Sequence, residues 1–128
     1  MRATSPTIDV RRYLGVPWLE DGCTLQGMDC IGMHLDVLRT QLGIDLPDPQ
    51  VTVRDPVVPE EWWRHFERVS AADLRVGDAI ESHGDPHHVA TVIHGGRVLT
   101  TTRAAGAVTI ALRTYLRAVR VVGCWRPR

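Results

Sequence analysis

Cys30 and the pair His87 and His88 have the residue types that nucleophilic chemistry needs. A thiolate is the reactive form of cysteine, and it requires a base within hydrogen-bond reach, usually a histidine near in space rather than in sequence. The chain has three cysteines, Cys23, Cys30 and Cys124, and six histidines that compete to serve as the base. Of the cysteines only Cys30, in the stretch GMDCIG, stands at the start of a long amphipathic run, where exposed helix amides stabilise a thiolate and lower its pKa. His34 follows one helical turn later and reads as a packing or solvent-facing residue. His65 comes after a tryptophan pair, and His83 and His94 fall in expected turns, so all three read as surface groups. On a strand, His88, Ala90 and Val92 share one face and His87, Val89, Thr91 and Ile93 the other. One histidine of the pair can therefore face the cysteine helix, and alternation alone does not say which.

Metal binding is the competing use of these residue types. Cys30 with His34, or His83 with His87 and His88, supplies ligand atoms, but neither group has a recognised ligand spacing with a matching partner group. No metal or cofactor is expected. The three cysteines form neither an even disulfide framework nor a CxxC pair, which makes them free thiols.

The elements that must position Cys30 and a histidine follow from periodicity. MDCIGMHLDVLRTQLG places Met28, Ile31, Leu35, Leu38 and Leu42 at three- and four-residue spacings, and Gly43 follows as a C-cap. This predicts a helix with Cys30 in its first turn. A short helix is expected over Thr7 to Tyr13, with Thr7 as its cap, and GVPWLEDGCTLQG reads as a loop. Four prolines between Asp45 and Pro59 suggest an extended crossing. EEWWRHFERV reads as another short helix, in which Trp62 and Trp63 are packing residues or, less simply, a docking patch. From Leu74 onward, VGDAIES, HHVATVIHGG, RVLTTTR and AVTIAL are β-branched runs punctuated by glycine, with Gly95 and Gly96 as a hairpin turn. LRTYLRAV reads as a helical turn and VRVVGCWR as a last strand. Helices first and an antiparallel meander second make an α+β fold, with the helices packed on one side of a C-terminal sheet.

The whole chain narrows the classes. Its 128 residues suit one domain spanning residues 1 to 128. Fifteen basic residues, all Arg, balance fifteen acids, so no polyanion such as a nucleic acid is an expected partner. The arginines from Arg113 to Arg128 read as a solvated face. No apolar run approaches a membrane span and the first residues lack a secretory h-region, which predicts synthesis in a bacterial cytoplasm without a signal peptide.

Three blocks together resemble the NlpC family of papain-like cysteine peptidases, which cleave stem peptides of bacterial peptidoglycan. YLGVPWLEDGCTLQGMDCIG, residues 13 to 32, is similar to the family's Tyr-x-Gly-x-Pro loop followed by Gly-x-Asp-Cys-x-Gly. LRVGDAIES, residues 74 to 82, is similar to its Leu-x-Pro-Gly-Asp block, and HVATVIHGGRVL, residues 88 to 99, to its His-Val-Gly-Ile strand and glycine turn. The resemblance implies a papain-like fold, Cys30 as nucleophile and His88, not His87, as base. It also implies two departures. Trp18 stands where the family has an oxyanion-stabilising Tyr, and its indole N–H is a donor of different reach. Thr100 stands where a polar residue, commonly His, orients the base; a hydroxyl accepts from imidazole but holds an imidazolium less strongly than a carboxylate, which implies reduced activity.

QLGIDLPDP and the ending VVGCWRPR are similar to compact versions encoded with phage tails and tail-like particles. This implies a virion tail-tip location, with peptidoglycan stem peptides as substrate and tail-tip or baseplate proteins as partners. Two other readings use the same residues: a structural tail-tip subunit with an idle site, and a toxin-like amidase delivered by a contractile secretion system.

Overall fold

The structure is a computed structural model that describes residues 6–47, 60–83 and 88–128. The expected crossing between Asp45 and Pro59 falls largely outside these residues, as does His87.

Helix α1, Cys30–Asp36, begins where Asp29 caps it: the Asp29 carboxylate accepts from the Gly32 amide at 2.7 Å. That cap starts the helix at Cys30, two residues later than the apolar spacing predicts, because Gly27–Met28 is strand β2 and pairs with β1, Cys23–Thr24. The segment read as a plain loop thus contains a small antiparallel ladder. After Asp36 the helix widens into a π-helical turn over Val37–Gln41. Gly43 ends the run with φ at 70°, the left-handed conformation that a C-terminal glycine supplies.

The expected N-terminal helix is only a 3₁₀ turn, Val10–Arg12, capped by Asp9 rather than Thr7. A larger correction concerns EEWWRHFERV. Helix α2 covers Glu60–Trp63 alone, and Phe66–Val69 is strand β3. Trp62, Trp63 and Phe66 are buried in a cluster whose rings also meet Trp125, which decides for packing over docking.

Strands β4 (Ala79–His83), β5 (His88–Ile93), β6 (Arg97–Thr102) and β7 (Gly106–Ala111) form the expected meander. Helix α3, Leu112–Ala118, is longer than the turn that LRTYLRAV suggested, and β8 is Arg120–Pro127. The six-stranded order is β3-β8-β4-β5-β6-β7, so β8 crosses back and inserts between β3 and β4. A buried ion pair fixes it there: Arg126 meets the Asp78 carboxylate at 2.8 and 3.0 Å. Arg113, Arg117, Arg120 and Arg128 are exposed, as a solvated face requires, but Arg126 is not, because it turns inward to Asp78.

The sheet separates two apolar layers. Met33, Val37 and Leu38 of α1 and its π-helical turn pack with Val89, Ile93 and Leu99 on one face. Tyr115, Leu112 and Leu116 of α3 pack with Ile80, Ala90, Val92 and Val98 on the other. Period-two alternation accounts for the division. The cysteine helix covers one face, but α3 covers the second, so the helices do not all lie on one side as the element order suggested: the apolar face of Leu112, Tyr115 and Leu116 packs on the even-numbered residues of the sheet. Cys23 is exposed, Cys30 and Cys124 are buried, and all three are free. No helix among the described residues is long and apolar enough to cross a membrane.

Candidate active site

The site lies where the sheet opens. Strands β5 and β6 pair only from Thr91 to Ile93 against Arg97 to Leu99. Beyond Thr91, His88 and Val89 pair with β4 on one side, while Thr100, Thr101 and Thr102 pair with β7 on the other. The N-terminus of α1 meets this opening, and the Val89 amide hydrogen-bonds to the Cys30 sulfur. Cys30 therefore sits beside the residue that follows His88.

His88 begins β5, and its Nε2 lies 2.5 Å from Thr100 Oγ1. This contact crosses the opening. The alternation expected from the sequence holds, since the even-numbered residues of β5 face α3 and the odd-numbered ones face α1, so parity puts His88 on the α3 side and not on the face that the cysteine helix covers. What alternation alone missed is the splay, which brings the cysteine helix to the backbone next to His88.

Local sequence explains the exact placement of the thiol. Gly22 and Gly32 approach so closely that a Cβ on Gly32 would overlap the Gly22 carbonyl oxygen. Only glycine at position 32 lets the first turn of α1 lie against the Gly22 backbone. Asp29 uses its second oxygen to accept from the Asp21 amide at 3.1 Å. Its role is thus to cap the helix and tie down the turn.

Trp18 is held beside the same region from two sides. Its backbone bridges to Met28, flanked by hydrogen bonds from Met28 to Pro17 at 3.0 Å and from Leu19 to Met28 at 3.2 Å. Two residues earlier, the Val16 carbonyl accepts from the Ala107 amide of β7 at 3.0 Å. The half-buried Trp18 ring packs against the cluster that contains Cys30 and Ile31, and the Arg103 guanidinium lies 4.4 Å from its centroid.

The electrostatics differ from the expectation for a cysteine at a helix start. Burial pushes the Cys30 thiol up to about 12; the Val89 amide pulls it down, the Asp29 carboxylate adds to the rise, and the Ile31 and Cys30 amides again pull it down. With only 4% of its surface exposed, desolvation of the anion outweighs the helix amides. Burial thus opposes the thiolate that the helix start favours.

Other titratable residues have structural duties. His34 is fully buried, with Nδ1 2.7 Å from Thr91 Oγ1 and Nε2 without a partner, and burial lowers its pKa to about 4. It packs and does not face solvent. Asp36 accepts from Tyr13 Oη at 2.7 Å and Arg12 Nε at 2.9 Å. Burial would raise its pKa, but these hydrogen bonds hold it below the ordinary carboxylate range. That network pins the N-terminal segment to α1. His94 Nδ1 accepts from the Ile8 amide, and His83 is exposed. Among the described residues, no three His, Cys, Asp or Glu side chains gather as a metal site would require.

Two residues near the site were not anticipated. Ser82, opposite His88 in the β4–β5 register, is buried, and so is Tyr115, whose hydroxyl lies near those of Ser82 and Thr100. The sequence signal for Tyr115 was its place with Leu112 and Leu116 on one apolar helix face; for Ser82 it was its parity with Ile80.

Comparison with known proteins sets this geometry in context. No family model matches the sequence, and no curated protein does. Solved structures do match. A Staphylococcus aureus protein described as similar to a lipoprotein of the NLP/P60 family superposes with a TM-score of 0.62 and 21% identity over 98% of this chain. An NlpC/P60 family protein from Bacillus cereus gives 0.64 and 25% identity over 88%. The NlpC/p60 domain of the peptidoglycan hydrolase SagA gives 0.62 and 20% identity over 90% of this chain and 89% of its own. The chain spans 45% and 35% of the length of the first two. The fold is the α+β, papain-like NlpC/P60 fold.

Proposed function

We propose that the protein is a cysteine peptidase that hydrolyses amide bonds in the stem peptides of bacterial peptidoglycan, with Cys30 as nucleophile, His88 as base and Thr100 orienting the base. The observation that carries this reading is the opening between β5 and β6. It sets the Cys30 sulfur at the Val89 amide and His88 against Thr100, within a fold shared with a peptidoglycan hydrolase.

The proposed steps conserve atoms and charge. The Cys30 proton passes to His88 as the sulfur attacks the amide carbonyl carbon, and the carbonyl oxygen takes the negative charge. Trp18 is the proposed side-chain donor to that oxygen, aided by amides of the first turn of α1. His88 returns the proton to the leaving amine as the C–N bond breaks, leaving a thioester. Water then attacks the thioester, His88 accepts its proton, and the carboxylic acid leaves as the thiol is restored. A thiol whose pKa burial raises fits transfer at the moment of attack rather than a standing thiolate. The uncharged Thr100 supports the expectation of reduced activity, because it offsets an imidazolium less than a carboxylate does.

We further assign the protein to a phage tail tip or tail-like particle, with baseplate proteins as partners. The support is the similarity of QLGIDLPDP and VVGCWRPR to compact tail-associated versions. Mass spectrometry of purified particles from the producing strain tests this: the protein is expected among the tail components, and its presence only in the lysate counts against the assignment.

Digestion of purified peptidoglycan tests the activity. Chromatography with mass spectrometry should show cleaved stem peptides with the wild type and none with Cys30→Ala, provided the variant keeps its far-UV and near-UV circular dichroism. An inert wild-type protein favours a structural subunit with an idle site.

A further inference from the structure

Thr100 faces a constraint that a carboxylate would not. A hydroxyl has one proton and two lone pairs, so it accepts from the His88 ring only if its own proton is placed elsewhere. Left free, the same hydroxyl can donate to His88 Nε2 instead, which selects the opposite ring tautomer. At 2.5 Å the contact allows either direction. The direction decides which ring nitrogen keeps a lone pair: Nε2–H pointing to Thr100 leaves Nδ1 as the basic atom.

The surroundings supply an acceptor for the Thr100 proton. Ser82, His88 and Thr100 share the sheet face that α3 covers, as their parity with Ile80, Ala90 and Val98 requires. From α3, Tyr115 enters this face among Ile80, Ala90, Val92 and Val98, only 5% exposed. Its ring completes the apolar layer, and a phenylalanine would do so equally well. Its hydroxyl is buried near the Ser82 and Thr100 hydroxyls, yet it has no hydrogen bond of good geometry. Buried polar groups are ordinarily paired, and one left over beside a catalytic constellation calls for a reason.

We propose that Tyr115 is a positioning residue: with Ser82 it takes the Thr100 hydroxyl proton, so that Thr100 accepts from His88 Nε2–H and Nδ1 is kept as the base. The proposal rests on the peptidase reading for its kinetic consequence but not for its structural one. It explains how a hydroxyl does the orienting work of a charged third group: the neighbouring hydroxyls fix the direction of its hydrogen bond.

The test uses Tyr115→Phe, which keeps the ring and its packing, alone and with Thr100→Val, in the full chain. Nitrogen-15 NMR of the imidazole rings near neutral pH reads the His88 tautomer without any substrate. The wild type should hold the proton on Nε2, and Tyr115→Phe should show a mixture of tautomers. In peptidoglycan-fragment cleavage, Tyr115→Phe should lower kcat by about tenfold with KM unchanged, as loss of an orienting group does. The double variant should be no slower than Thr100→Val alone, because both changes break one chain of hydrogen bonds. An unchanged tautomer in Tyr115→Phe overturns the proposal, as does a kcat loss that multiplies independently with that of Thr100→Val. If no fragment is cleaved but the tautomer still depends on Tyr115, the positioning role stands and the peptidase reading fails.

Discussion

His88 Nε2 and Thr100 Oγ1 approach to 2.5 Å across the opening between β5 and β6, joining two strands that no longer pair with each other at this level. The contact is the sheet's bridge at the place where the cysteine helix meets it. In the proposed mechanism it makes the third group a neutral one, with consequences for rate.

Thr100→Val keeps the shape of the side chain and removes the acceptor. The base then loses its orientation and one stabilising contact. A fall in kcat of about 10- to 100-fold is expected, smaller than the ~10⁴-fold loss seen when a charged third group is disabled in a serine protease. Steady-state kinetics on a defined stem peptide checks this. An unchanged kcat would remove Thr100 from the machinery.

Trp18→Phe separates the two properties of the indole. The phenyl ring retains a face for Arg103, whose guanidinium lies 4.4 Å from the Trp18 centroid, but it has no N–H. Loss of an oxyanion donor typically costs 10²- to 10³-fold in kcat. A drop of about 100-fold with little change in thermal stability is expected; an equal drop for Trp18→Ala and none for Trp18→Phe would show that the ring acts by packing alone.

The buried Cys30 thiol, pushed up to about 12, should be slow to alkylate in the absence of substrate. Exposed Cys23 provides an internal comparison. With iodoacetamide at neutral pH, peptide mapping should show Cys23 modified first, and Cys30 modification rising steeply only in strongly alkaline solution. Rapid alkylation of Cys30 with a plateau below pH 7 would show a standing thiolate and a different division of labour with His88.

His34 predicts how stability responds to acid. Its pKa is about 4 in the folded protein, against 6.5 when the ring is free, so the unfolded chain binds the proton more readily. Stability therefore is full above 6.5 and is lost as the pH falls from there toward 4. At pH 5 the linkage amounts to about 2 kcal/mol, from 1.36 kcal/mol for each unit of displacement. Urea unfolding at pH 7 and pH 5 measures it, and His34→Gln should flatten the difference if the ring is its source.

Much of this site was legible because its residues are local markers. Cys30 in the first turn of a helix follows from apolar residues within a few positions of it, where spacing and chemistry suffice to read it. His88 was separable from His87 only through resemblance, since strand alternation places one histidine on each face and does not reveal the splay between β5 and β6. The depressed thiol pKa expected from the helix start failed for a tertiary reason, the burial of Cys30 against β5. Phe66 to Val69 looked helical beside Glu60 to Trp63, yet pairing with β8, nearly 60 residues away, makes it a strand. Tyr115 and Ser82 carried only the local signals of an apolar helix face and of strand parity, and nothing short-range shows that they meet, because that depends on α3 folding over the sheet.

The most direct test of Cys30 as nucleophile is acid-quenched intact-mass spectrometry during turnover of a stem peptide, followed by peptide mapping. The wild type should carry an adduct with the mass of the acyl fragment, mapped to Cys30 and absent from Cys30→Ala. Cleavage that continues undiminished in Cys30→Ala, with no adduct on the wild-type thiol, would contradict it.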